Sequence, residues 1–145
     1  MTVPPQTPGS GQDWLLRLDR ASWLAAAANE LAQARAALDR RAVRPGVTHA
    51  RRAAGMALNA ALLTRPRPHW GRSYMEHVLA LADDPEPPPE VRTAAAILRD
   101  TPAAPPELVK LGKVDTAVTD AAQAIMDWVH AHGDPAETEQ PRTGD

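Results

Sequence analysis

The chain has no cysteine and no phenylalanine, and its only aromatic residues are four tryptophans and one tyrosine among 145 positions. Without thiols there are no disulfides, no thiolate metal sites and no cysteine nucleophile. An excess of charge of one sign is lacking as well. Sixteen basic residues face 18 acidic ones, for a net charge of −2. Affinity for a nucleic-acid backbone would therefore have to come from a local basic face. No apolar run approaches the roughly 20 residues that span a bilayer. The opening Met1-Thr2-Val3-Pro4-Pro5-Gln6-Thr7-Pro8-Gly9-Ser10 carries neither a basic nor an apolar signal region. The expectation is a cytoplasmic protein with no membrane partner.

Two polar, proline- and glycine-broken ends, residues 1–11 and 134–145, read as disordered, which leaves one domain over 12–133. Within it, apolar residues recur at helical spacing and no strand alternation appears. The first helix is expected from about Asp13 to Arg40, with Asp19 or Ser22 as a possible break. Its stripe is Trp14, Leu18, Ala21, Leu24, Ala28, Leu31 and Leu38, and Arg44-Pro45-Gly46 ends it. Thr48 reads as the N-cap of a second helix reaching Leu63. That helix is apolar around so much of its circumference that it belongs at the centre. A third helix covers Tyr74 to Ala82. A fourth runs from Pro89 to Arg99 with Val91, Ala94, Ala95 and Leu98 inward. Glu107 to Leu111 suits a single turn. A fifth helix starts at Asp115 and runs to His132 before Gly133, with Val118, Ala121, Ala122, Ile125, Trp128 and Val129 on its stripe. The expected fold class is all-α, a five-helix bundle.

The densest local chemistry lies in Gly71-Arg72-Ser73-Tyr74-Met75-Glu76-His77-Val78. Ser73 followed three residues later by Glu76 is a capping box, so Arg72 falls at N′ and His77 at N4. Those positions meet across the first turn, which would set a permanent cation beside a group titrating near neutral pH where an anion is welcome. The other reading has His77 packed on Trp70 or Tyr74 while Arg72 is solvated. Just upstream, Arg65-Pro66-Arg67-Pro68-His69-Trp70 is a stiff basic turn. Its Arg65, Arg67, His69 and Trp70 could hold a phosphate and stack on a base, or Trp70 could be a lid over the bundle end. His49, Arg51 and Arg52 could extend that face. His130 and His132 suit the C-terminal dipole of the last helix. The histidines form no Glu-x-x-His pairs of di-iron type, so no metal and no cofactor is expected.

Three segments carry a family resemblance: Trp23 to Ala34, the alanine-rich Thr48 to Leu63, and Asp115 to Val129. Their order resembles the HEPN superfamily of small prokaryotic helical domains over roughly Trp23 to His132. Many members are metal-independent ribonucleases whose site is an Arg, four to six residues, then a His, paired across a homodimer. Arg72 and His77 fit that spacing; so do Arg44 and His49. The resemblance implies that His77 assists proton transfer as a ribose 2′-hydroxyl attacks phosphate, and that Arg72 stabilises the developing charge. It places the chain in RNA- or nucleotide-directed biology such as toxin–antitoxin systems or phage defence, as a homodimer. The alternative is a non-enzymatic helical subunit of the same shape that binds a protein partner.

Overall fold

The computed structural model describes residues 17–102 and 116–132. Trp14, the Glu107–Leu111 turn, the Asp115 cap, the Gly133 stop and both polar ends lie outside the described residues. Among those described there are five α-helices and no strand: α1 (Arg20–Asp39), α2 (Val43–Thr64), α3 (Tyr74–Asp83), α4 (Pro89–Asp100) and α5 (Ala117–His132), with a 3₁₀ turn at Pro68–Trp70. No described helix is long and apolar enough to cross a membrane.

The all-α expectation holds, while two boundaries move. Helix α1 begins at the suspected break, where the Asp19 carboxylate accepts a 2.8 Å bond from the Ser22 N–H as N-cap. The larger correction concerns α2. Arg44-Pro45-Gly46 does not end a helix, and Thr48 is no cap; all four residues lie inside α2, whose N-cap is Ala42. Proline is tolerated there because the first-turn N–H groups have no intrahelical acceptor to lose. Gly46 is needed there because a Cβ would fall 2.5 Å from a Leu38 methyl. The true break is shorter. The Ala42 N–H donates to the Ala37 carbonyl (2.8 Å) and the Arg41 N–H to the Leu38 carbonyl (2.9 Å), a Schellman turn. Its left-handed position is held by Arg41 (φ 64°), where glycine is the usual occupant.

Helix α2 is the axis of the bundle. Every residue from Ala53 to Leu62 is buried, and α1, α3 and α5 all pack on it, with α4 closing the gap between α3 and α5. Alanines at Ala50, Ala53, Ala54, Ala57, Ala60 and Ala61 keep these approaches short. At Gly55 the backbone itself is the limit, since a Cβ would collide with the Cα and Cβ of Tyr74 at the start of α3.

Apolar faces follow expectation in α4 (Val91, Ala94, Ala95, Leu98) and largely in α5, where Met126 joins the core and Trp128 is half-buried against it. In α1 the face is rotated. Trp23, Leu24, Ala27, Leu31, Ala34, Ala37 and Leu38 turn inward, whereas Ala21 and Ala28 are exposed and Leu18 is 37% exposed. An alanine-rich helix offers apolar positions all round, so spacing alone does not choose the face; the bulk of Trp23 does. Polar ties fasten the outer helices. Arg20 donates to the Val129 carbonyl at 2.6 Å, linking α1 to α5. Arg51 on α2 donates to the Leu98 carbonyl (2.9 Å) and to that of Thr101 at the end of α4.

Two substitutions should move stability in opposite directions. Gly55→Ala forces α3 away from α2 and is expected to cost about 2 kcal/mol or more, as overpacking against backbone does. Arg41→Gly removes left-handed strain and is expected to add about 0.5–1 kcal/mol. Urea unfolding midpoints measure both; equal or reversed shifts would show that the α1–α2 turn and the α2–α3 contact are not built this way.

Candidate functional site

The segment from Arg65 to Glu86 contains the densest chemistry of the sequence, and its geometry starts from the capping box. The Ser73 Oγ accepts from the Glu76 N–H (3.1 Å), and Glu76 Oε1 accepts from the N–H groups of Ser73 (3.0 Å) and Arg72 (2.7 Å). The bonds from Arg72 and Ser73 hold the Glu76 carboxyl below the usual carboxylate range. Gly71 makes the entry possible: at φ 78° it turns the chain out of the 3₁₀ turn, and a Cβ there would lie 2.7 Å from the Glu76 side chain.

This entry sends Arg72 and His77 in different directions. Arg72 is exposed, while His77 is fully buried. The expected side-by-side arrangement of the two is therefore not what the cap produces; the alternative reading, His77 against Trp70, describes the packing. The His77 Nδ1–H donates to the Trp70 carbonyl at 2.9 Å, and Nε2 lies 2.7 Å from Oδ1 of Asn59 in the middle of α2. Burial pushes the imidazole below its ordinary pKa, against the pull of the Trp70 carbonyl and of Glu76, so the ring is neutral at pH 7. With the proton on Nδ1, a neutral Nε2 needs a donor. The structure sets Oδ1 of Asn59 there and leaves its Nδ2 without a partner; exchanging the two amide atoms would give Nε2 that donor. The same amide, in its other orientation, serves the protonated ring.

Trp70 is also fully buried. Its indole N–H donates to Asp84 Oδ2 at 3.1 Å, and Asp84, at the C-cap of α3, accepts the Glu86 N–H on Oδ1 at 2.9 Å. His69 Nε2 lies 3.4 Å from the same Oδ2. Burial alone would raise the Asp84 carboxyl; the bonds from Glu86, Trp70 and His69 more than offset that and hold it below its ordinary range. Over the outer face of the indole lies the Arg67 guanidinium, 4.5 Å from the ring centroid, within reach of Glu86 (3.3 and 3.4 Å). Arg65 pairs with the same carboxylate. The structure thus brings Arg65, Arg67, His69 and Trp70 together, but around Asp84 and Glu86. A basic turn expected to meet phosphate has its charge matched within the fold.

The wider face is similarly committed. His49 (2.6 Å) and Arg52 (3.5 Å) both meet Glu30 on α1, and Arg51 caps α4. His130 is exposed at the end of α5. Among the described residues no three His, Asp or Glu side chains are arranged to hold a metal. Asn59, Asp84 and Glu86 are the participants that sequence reasoning missed. Asn59 had a signal, being the one strongly polar side chain between Ala53 and Leu63; the two acids had none beyond their place in a turn.

One surface of this assembly stays open. Along α3, Leu79 is 43% exposed and lies in a groove of about 340 Å³ with Gly71 and Ala80, rimmed by His69, Glu76 and Asp83. No protein-family model, curated protein or solved structure matches the chain.

The pKa directions fix a pH dependence. The folded His77 has a lower pKa than the unfolded value of 6.5, so the unfolded chain binds protons first as pH falls. Stability is complete above about pH 6.5 and declines below it, with a slope of up to about 1.4 kcal/mol per pH unit. The depressed Asp84 adds a second loss in the acid range, below its unfolded value of 3.8. Denaturant titrations between pH 7 and pH 5 check the first limb; His77→Leu should flatten it even where it lowers stability. A wild type equally stable at both pH values would contradict the buried neutral ring. Asp84→Ala strands the Trp70 N–H and is expected to cost about 1–3 kcal/mol in the same assay.

Proposed function

We propose that this chain is a non-enzymatic helical docking module that binds a protein partner on the outer face of α3. The observation that carries the reading is how the chemistry of residues 65–86 is used. A buried imidazole engaged at both nitrogens cannot exchange a proton with a substrate without breaking two hydrogen bonds inside the bundle. Arg65 and Arg67 are held by Glu86, and His69 by Asp84. What these contacts leave outward is a shallow, open groove with Leu79 in it. A large aliphatic side chain left in water on an otherwise well-packed bundle contributes little to folding; together with a groove, it suits a partner's side chain.

In this reading the HEPN-like order of helices supplies a scaffold and not a paired nuclease site, and the homodimer that such a site requires is not needed. Two measurements test it. Purified protein incubated with end-labelled structured RNAs in EDTA is expected to leave them intact. Cleavage that disappears in an Arg72→Ala/His77→Ala double variant would restore the ribonuclease reading. Leu79→Ser is expected to change unfolding stability by no more than about 0.5 kcal/mol, as for a surface position. A loss of about 2 kcal/mol would make Leu79 part of the core and remove the docking face.

A further inference from the structure

The groove on α3 has a charge pattern as well as an apolar floor. Glu76, Leu79 and Asp83 stand three and four residues apart on one helix, so their side chains share a face one turn from each other. The two carboxylates therefore bracket the exposed leucine. Glu76 takes both of its backbone bonds on Oε1. Asp83 is exposed at the last position of α3. The cations nearby are held mainly by other carboxylates or lie off the groove. Arg72 is exposed but does not line the groove. Arg99, close enough to feel Asp83, is bonded to Asp100 at 2.8 Å. His69 on the rim is turned to Asp84.

Resting on the docking reading, we infer that the partner is a basic amphipathic peptide segment. It seats an aliphatic side chain against Leu79 and Ala80, and Lys or Arg residues one turn to either side reach Glu76 and Asp83. Charge complementarity selects this partner over an acidic or neutral one, because like charges facing both carboxylates would be repelled as the groove is desolvated. The floor is stiff, fastened by Gly71, the capping box and the buried Trp70 behind it, so little order has to be created on binding.

The probe is a library of random peptides displayed on phage, selected on the full-length protein and counter-selected on Leu79→Asp, with circular dichroism confirming that the variant is folded. Enriched peptides should share an aliphatic residue with Lys or Arg three or four positions away on both sides. Synthetic versions should bind at least about tenfold more weakly to Leu79→Asp, more weakly to Asp83→Asn, and more weakly at high salt. Leu79-dependent peptides without basic residues, or with acidic ones, would overturn the partner chemistry and leave the docking face intact. Absence of any Leu79-dependent peptide would overturn both.

Discussion

A buried imidazole lying between a backbone carbonyl and the amide of a central helix is the constraint from which the chemistry-rich half of this bundle is built. His77 joins α3 to the turn at Trp70, seven residues upstream, and to Asn59 on α2, 18 residues away. Each bond contributes about 1 kcal/mol net, but breaking one strands a buried polar group at about 1–3 kcal/mol, so the arrangement is far costlier to disturb than its own contribution suggests. With the Trp70 carbonyl fixed, the indole is aimed at Asp84. With Asp84 fixed, the Glu86 amide is drawn in, and its carboxylate meets Arg65 and Arg67. The α2–α3 and α3–α4 links are thereby fastened to each other.

That arrangement matches the charge of a segment rich in arginine, histidine and tryptophan within the fold. Residue types that bind nucleic acid are the same types that close a turn: guanidinium over indole, imidazole against carboxylate, paired arginines on one acid. The difference lies in what stands opposite them, and here it is Asp84 and Glu86 from the same chain. In the docking reading proposed above, these contacts give α3 a fixed base from which the exposed Leu79 between two carboxylates meets a partner.

Much of the fold was legible because helix signals are local. The Ser73–Glu76 capping box, the inward face of α4 and the central place of α2 follow from spacing within a few residues. Failures occurred where tertiary contact overrode a local rule. Pro45 and Gly46 read as a breaker, yet the proline costs nothing in a first turn and the glycine is there for Leu38. In α1, alanines on every side left the inward face to Trp23. The site suffered in the same way. His77 and Trp70 were visible as residues of interest, but Asp84 lies 14 residues from Trp70 and Asn59 lies 18 from His77. Nothing in the sequence near them announces those pairings, and without them a buried histidine and an exposed one look alike.

Long-range proton–nitrogen correlation spectra of the histidine side chains at pH 7 read the state of His77 directly. The expected result is a ring protonated on Nδ1, which faces the Trp70 carbonyl, and one that stays neutral to lower pH than an exposed histidine because burial disfavours its charged form. A ring titrating freely near pH 6.5 as an exposed histidine does would place it outside the core and return it to solvent, where a catalytic role is chemically open.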